Sequence, residues 1–200
     1  MMLEIFQYGF MQRAFITGLF IALITPAIGV IVVLRGLSMI GDSLSHSSLA
    51  GVAAGLIAGI NPVAGAVTFS VLAALGIERV RKSFPQYSEI AIAVIMSTGI
   101  GLAGVLSGYV KSSVDFNSFL FGSIVAISNF ELIFVIILSI IVILFMILLY
   151  KELFYITFDE ESARLSGIPV NTINFIFTIM IAVSISVSSR TVGTLVVSSM

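Results

Sequence analysis

Two side chains that could bind a cation, Asp42 and His46, lie four residues apart within a long apolar stretch. At 3.6 residues per turn, this spacing places both of them on one face of a helix. A carboxylate and an imidazole are suitable ligands for a divalent cation. An ionisable side chain inside a bilayer costs about 2.5–3.5 kcal/mol on insertion scales, so such residues usually mark an ion or substrate path. The pair therefore predicts a transport site, although a hydrogen-bonded pair that locks two helices is the alternative.

The composition of the chain is typical of a membrane protein. Of its 200 residues, 59% are hydrophobic and 10% are charged, whereas a soluble domain has about 25% charged residues. The net charge of −1 gives no basic surface for nucleic acid, and the absence of cysteine excludes thiolate metal sites. We therefore expect residues 1–200 to form one all-α, polytopic transmembrane helical bundle.

Stretches without charged residues predict the membrane-spanning helices, because about 20 apolar residues are needed to cross the hydrocarbon core. A proline after Asn61 separates the second span from the third. One apolar segment is too short to span and is predicted to be re-entrant or interfacial. The six complete spans are predicted at 14–34, 36–60, 62–77, 90–109, 132–150 and 172–189, with a partial seventh at 191–200 and the non-spanning segment at 116–129.

The positions of lysine and arginine predict the orientation. With loops 78–89 and 151–171 in the cytoplasm, six positive residues lie inside and three outside, which agrees with the positive-inside rule. The N-terminus is then external, and His46 lies about ten residues, or about 15 Å, from the inner end of its helix, near the bilayer midplane. The six are Arg35, Arg79, Arg81, Lys82, Lys151 and Arg164, and the three are Arg13, Lys111 and Arg190.

A second polar segment follows the fifth predicted span and has the signals of a short capped helix. Asp159 can cap its start, and Glu160 and Glu161 fall in its first turn, where the helix dipole favours anions. Arg164 falls in the last turn, and Gly167 fits a left-handed stop. An ordinary capped connector and a docking helix for a cytoplasmic partner both fit this pattern.

Small residues recur around the Asp42–His46 pair. Gly51, Gly55 and Gly59 are spaced four residues apart on the far side of the predicted second span, which favours close helix packing. Serine hydroxyls near the pair either bond to helix carbonyls or line a wet path, and the sequence leaves both open. These serines are Ser43, Ser45, Ser47 and Ser48.

Several motifs resemble the membrane permease subunits of ATP-binding-cassette importers for zinc, manganese and iron, and the resemblance runs essentially the whole length of the chain. The most specific motif is Gly-Asp-x-Leu-x-His-x-x-Leu-x-Gly at 41–51. The others are Arg-Gly-Leu-Ser-Met at 35–39, Asp-Phe-Asn-Ser-Phe-Leu-Phe-Gly at 115–122, Glu-x-Ala-x-x-x-Gly at 161–167, and Ser-Arg-Thr-Val-Gly-Thr-Leu at 189–195.

The resemblance implies a homodimeric permease in the cell membrane that receives metal from an extracellular metal-binding protein. Asp42 and His46 would line the route of a transported zinc or manganese ion, and of iron in some members. Two cytoplasmic ABC ATPase subunits would bind the loop after the fifth span. The coupling residues would be Asp159, Glu160, Glu161, Ala163, Arg164 and Gly167.

ATP is expected on that partner, because this chain contains no phosphate-binding Gly-x-x-x-x-Gly-Lys-[Ser/Thr] motif. We therefore expect a transport subunit rather than an enzyme, with no permanently bound cofactor. A secondary metal-ion transporter or a channel without an ATPase is the alternative, but no internal repeat or filter motif favours it. Such permeases continue beyond the motif at 189–195, so the chain is expected to be a truncated form or a fragment.

Overall fold

The computed structural model describes residues 8–110, 120–122 and 128–194, and eight α-helices have their bounds within this part of the chain. A 3₁₀ turn at Pro85–Tyr87 joins the third and fourth helices. The helices are α1 (Gly9–Leu34), α2 (Ile40–Ala58), α3 (Pro62–Ser83), α4 (Ser88–Ser107), α5 (Asn129–Leu148), α6 (Tyr150–Phe158), α7 (Glu160–Leu165) and α8 (Val170–Val192).

The six long helices run alternately up and down, so the bundle has two distinct ends. The short helices α6 and α7 join α5 to α8 at one end, which we call the α7 end; the opposite end is the far end. All six positive residues that were predicted to share a side lie at the α7 end, whereas Arg13 lies in the first turns of α1 at the far end. Lys111 falls outside the described residues.

Helix α2 packs most extensively against α3 and α4 and also packs against α8. Helix α1 packs mainly against α5, and α8 contacts α1, α2 and α3. Hydrocarbon chains are as apolar as leucine, so membrane helices associate through close van der Waals contact rather than through the hydrophobic effect. The small residues of α2 therefore suit its close packing against α3 and α4.

Five of the described helices are long and apolar enough to cross a membrane: Gly9–Leu34, Pro62–Ser83, Ser88–Ser107, Glu131–Leu148 and Val170–Ser189. Helix α2 is not among them, because its 19 residues include four serines, Asp42 and His46. At a rise of 1.5 Å per residue it is still about 28 Å long. The fold class is therefore the predicted helical bundle, while six complete spans remain a prediction.

Helix α2 begins four residues later than the sequence predicts. Gly36 has a φ of 69°, a left-handed conformation that suits glycine, and the N–H of Leu37 donates to the carbonyl of Val32 at 3.0 Å. The chain therefore turns sharply before it enters α2 at Ile40. His46 consequently lies only about 9 Å along the axis from the start of α2, closer to the α7 end than predicted.

The fifth and seventh predicted spans also differ from the structure. The fifth span ends at Leu148, because Leu149 leaves helical geometry with a φ of −100° and a ψ of 14°, and α6 follows. Thr191 and Val192, predicted to open a seventh span, are the last residues of α8. Residues 195–200 of that span lie outside the described residues, as do 116–119 and 123–127 of the predicted re-entrant segment.

The described remainder of that segment contacts the end of α8. Gly122 and Gly193 both have positive φ angles, 75° and 98°. Their backbones touch, since a Cβ added to Gly193 would lie 2.7 Å from the nitrogen of Gly122. The Thr194 hydroxyl donates to the carbonyl of Leu120 at 3.4 Å. Two motifs more than 70 residues apart in the sequence therefore meet at the far end.

Candidate functional site

The Asp42–His46 pair lies on the partly open face of an otherwise buried stretch of α2. His46 is 22% exposed and Asp42 is 29% exposed, whereas Ser43, Leu44 and Ser45 between them are fully buried. Asp42 lies in the first turn of α2, where the helix dipole favours its negative charge. The predicted shared face is therefore present, and it is accessible from outside the single chain.

The separation of the two side chains fits two ligands on one ion. Asp42 Oδ1 and His46 Nε2 are 3.2 Å apart, but Oδ1 has no hydrogen-bond partner among the described residues. With metal–ligand bonds of about 2.1 Å, neighbouring ligands are about 3.0 Å apart in octahedral and about 3.4 Å apart in tetrahedral geometry. The observed distance lies between these values and is therefore compatible with two ligands on one ion, although Asp42 Oδ1 is buried and the side chains must move apart to admit the ion.

One chain supplies only part of a coordination shell. No group of three or more His, Cys, Asp and Glu side chains comes together within the described residues. Zinc prefers four ligands and manganese about six. The pair alone therefore leaves the coordination of either ion incomplete.

The neighbouring serines are engaged with the backbone. Ser45 and Ser47 donate to the carbonyls of Gly41 and Ser43, both at 2.9 Å, one turn earlier in α2. Ser43 donates to the carbonyl of Ile92 in α4 at 3.2 Å. The sequence left open whether the serines bond to helix carbonyls or line a wet path, and these three bond to carbonyls. The Ser43 bond also fixes the rotation of α2 against α4, and thereby the direction in which the pair points.

Glycines bring the helices that surround the pair into backbone contact. A Cβ added to Gly51 would lie 2.8 Å from the carbonyl carbon of Gly65 in α3, and one added to Gly55 would lie 3.2 Å from Cα of Pro62. Gly59 differs from the expectation: it is the left-handed C-cap of α2 with a φ of 69°, and nothing lies within 4 Å of an added Cβ. Its requirement for glycine is conformational rather than steric.

Gly99 of α4 is a packing residue that the sequence pattern did not single out. A Cβ at this position would lie 2.9 Å from the nitrogen of Ser47 and 3.2 Å from the carbonyl carbon of His46. Helix α4 therefore supports the backbone directly behind His46. Nothing in the local sequence around Gly99 indicates which neighbouring helix it meets.

Helix α7 forms as its capping signals predict. The carboxylate of Asp159 accepts the N–H of Ser162 at 2.9 Å and its hydroxyl at 2.5 Å. These hydrogen bonds lower the pKa of Asp159 below its usual value. At the other end, the N–H groups of Gly167 and Ile168 donate to the carbonyls of Arg164 and Ala163, both at 3.2 Å. This is a Schellman motif, and Gly167 has the required positive φ of 82°.

The two faces of α7 have different surroundings. Glu160 and Arg164 are exposed and form an ion pair at 3.2 Å, and Glu161 is also exposed. Ala163 is fully buried in the main hydrophobic core, so its side chain anchors α7 to its own chain instead of facing a partner. Leu165, which no local sequence signal marks, is 85% exposed at the tip. An apolar side chain so accessible suits contact with another protein.

Comparison with known proteins agrees with this architecture. The model of the ABC 3 transport family matches residues 7–200. A probable metal transport system membrane protein of Treponema pallidum is 36% identical over 196 residues, which cover 97% of this chain and 73% of that protein. The manganese transport system membrane protein MntC of Listeria innocua is 34% identical over 194 residues, which cover 97% of this chain and 69% of MntC.

A solved structure has the same fold over almost all of this chain. The structure of PsaBC from Streptococcus pneumoniae in complex with Fab superposes with a TM-score of 0.84 and 30% sequence identity. The match covers 99% of this chain and 73% of that one. With the family match across nearly its whole length, the chain belongs to the ABC 3 transport family.

Proposed function

We propose that this chain is the membrane-spanning permease subunit of an ATP-driven importer that conducts a divalent metal cation across the cell membrane. The observation that carries this proposal is the Asp42–His46 pair, whose ligand atoms are 3.2 Å apart on a partly open face of α2. The family match supports it, as do the metal and manganese transport named for the two relatives. The metal is the cargo, and manganese or zinc suits one carboxylate and one imidazole.

A second copy of the chain would complete the site. A two-fold axis beside α2 brings two Asp42 and two His46 side chains together and doubles the ligands from two to four. The partial exposure of both side chains supports this arrangement. Four ligands satisfy zinc and leave manganese to retain water. Moderate affinity favours conduction, because an ion that binds too tightly leaves slowly.

The α7 end would face the cytoplasm and bind the ATPase subunits. Six positively charged residues at this end favour the orientation by the positive-inside rule. The exposed side chains of Glu160, Glu161, Arg164 and Leu165 would contact the partner, while Asp159, Ala163 and Gly167 hold α7 in place. The partner would bind and hydrolyse ATP. The far end, with the N-terminus, would then receive metal from an extracellular binding protein.

Uptake by proteoliposomes containing the permease and its ATPase tests the pathway. We expect Asp42→Asn and His46→Gln each to reduce uptake of radiolabelled manganese and zinc to background, because each removes a metal ligand at unchanged size. Thr98→Val is the control, since the exposed Thr98 bonds only to the Val94 carbonyl in the part of the chain described. Near-normal uptake by both ligand variants would refute the pathway.

Cross-linking tests the dimer. The chain contains no cysteine, so Asp42→Cys introduces a single thiol on the open face of α2. We expect oxidation in membranes to yield a disulfide-linked dimer. Ile147→Cys, on the exposed apolar face of α5, should remain monomeric under the same conditions. Equal cross-linking of the two variants would contradict an axis beside α2.

A further inference from the structure

Arg35 holds three helices together at the α7 end. Its guanidinium donates from Nη1 to Oδ1 of Asn174 at 2.7 Å and from Nε to the hydroxyl of Thr157 at 3.2 Å. It also lies over the ring of Phe177, 5.1 Å from the ring centroid. Arg35 itself is the C-cap of α1, Thr157 lies in α6, and Asn174 and Phe177 lie in α8.

These contacts lie on both sides of α7. Thr157 is two residues before Asp159, which caps α7, and Asn174 is in the second turn of α8, just after the Schellman turn at Gly167. A displacement of α7 must therefore move at least one of the helices that Arg35 binds. The planar, fork-shaped guanidinium can stay hydrogen-bonded to two acceptors at once while they move. A lysine ammonium lacks this arrangement of donors.

Arg35 is also directly connected to the helix that carries the metal pair. Only the turn at Gly36–Met39 separates it from α2, and Asp42 follows seven residues after Arg35. Leu37 on that turn and Ile40, the first residue of α2, are buried in the same hydrophobic core as Phe177 and Ala163. Backbone and core contacts thus lead from the guanidinium to the start of α2.

The charges around Arg35 leave it able to exchange partners. The acceptors of Arg35, the Thr157 hydroxyl and the Asn174 amide oxygen, are both neutral. The carboxylate of Glu78 forms a two-point ion pair with Arg81 instead, at 2.9 and 3.0 Å. Burial, assisted by the charge of Arg81, lowers the pKa of Arg35 to about 10, while Glu160 and Glu78 oppose this, and the side chain stays protonated at neutral pH. Its Nη2 is buried without a hydrogen-bond partner among the described residues. The network therefore contains a spare donor.

We propose that Arg35 is a positioning residue that transmits displacement of α7, through Thr157 and Asn174, to the helix carrying Asp42 and His46. This inference rests on the proposed function. In it, the ATPase moves α7, Arg35 exchanges acceptors as α6 and α8 shift, and the turn at Gly36–Met39 changes the tilt of α2. Arg35 contacts no metal at any stage.

The test is the ratio of metal transported to ATP hydrolysed by the reconstituted permease–ATPase complex. We expect Arg35→Gln and Asn174→Ala each to reduce this ratio by about tenfold, the upper range of coupling changes produced by single residues. ATPase co-purification should stay at the wild-type level. Arg35→Lys should retain only part of the coupling, and Arg35→Gln/Asn174→Ala should be no worse than Arg35→Gln alone, because Arg35→Gln already removes the contact with Asn174.

Arg79→Gln is the matched control, since Arg79 is an exposed arginine at the same end of the bundle. If Arg35→Gln does not assemble, Asn174→Ala and Thr157→Val carry the test, because both retain the buried cation. A wild-type ratio in the acceptor variants overturns the role of Arg35. If Asp42→Asn and His46→Gln lack uptake while Arg35→Gln keeps the wild-type ratio, only this inference fails. If both ligand variants transport normally, the proposed pathway fails instead.

Discussion

Helices α2 and α7 both carry candidate functional residues, but they are held in different ways. The backbone of α2 touches α3 at Gly51 and α4 behind His46, with no side chain between them. Helix α7 has six residues and is fixed by a cap at each end and by one buried side chain, Ala163. The ligand pair thus depends on long-range packing, whereas the proposed ATPase contact depends on local chemistry. Substitutions should affect stability at α2 and coupling at α7.

The largest effect is expected at Gly51. Gly51→Ala places a methyl group against the Gly65 carbonyl, and overpacking of this kind costs about 1–3 kcal/mol or more. Gly101→Ala in α4 is the matched control, because nothing lies within 4 Å of its added Cβ. It should stabilise the helix by about 0.5–1 kcal/mol. Thermal unfolding in detergent measures both, and equal melting temperatures would show that α2 and α3 are not tightly fixed.

A smaller but selective effect is expected at Gly167. Gly167→Trp forces a non-glycine residue into a left-handed conformation, which costs about 1–2 kcal/mol, and redirects the chain that leaves α7. We expect loss of ATPase binding or of coupled transport, with unchanged metal affinity. Ser166→Trp adds the same bulk at a φ of −76° and should do less. If Gly167→Trp retained wild-type co-purification and transport, α7 would not be the docking helix.

Leu165 should contribute to partner affinity alone. Burying a leucine side chain contributes about 1.5–3 kcal/mol, so Leu165→Ser should weaken binding of the ATPase by about tenfold or more. Tyr109→Ser is the control, because Tyr109 is 73% exposed at the far end. Titration of the purified ATPase against each variant gives the dissociation constants. Equal constants would exclude Leu165 from the interface.

The smallest effect concerns pH. Because hydrogen bonds from Ser162 lower the pKa of Asp159 in the folded protein, the cap stabilises α7 above the unfolded pKa and is lost as pH falls through the folded one. Protection of the Ser162 amide from hydrogen exchange, corrected for intrinsic rates, should be constant from neutral pH to about pH 4 and then fall. Asp159→Asn should remove this dependence. An early loss, near pH 6, would mean that another group controls the cap.

The contrast also explains how far the sequence could predict the structure. Asp159 and Gly167 identified α7 because a cap and a left-handed stop act on residues within one turn. The spacing of Asp42 and His46 likewise predicted their shared face. Gly99, in contrast, matters because of the helix it meets, and the spacing of Gly59 suggested packing where the structure has a left-handed cap. The burial of Ala163 was equally unpredictable from the sequence, because its neighbours come from distant helices.

Arg35 and Leu165 were missed for different reasons. In the sequence the arginine is one of several positively charged residues that indicate orientation, and its acceptors, Thr157 and Asn174, lie more than 120 residues away. Leu165 follows Arg164 in a short helix, and nothing local indicates whether such a leucine is buried or exposed. The role of Arg35 follows only from the positions of α6 and α8 relative to α1.

The length of α8 has a mechanical consequence. Its 23 residues form a rod about 34 Å long. Near one end of the rod, Asn174 accepts a hydrogen bond from Arg35. Immediately beyond the other end, the backbone of Gly193 touches that of Gly122. A tilt of about 5° about the first end would carry the second through about 3 Å. Glycine backbones in contact contain no side chains to absorb such a movement. Exchange of a single hydrogen bond of Arg35 at the α7 end would thus open a gap at the far end that is wide enough to admit a water molecule.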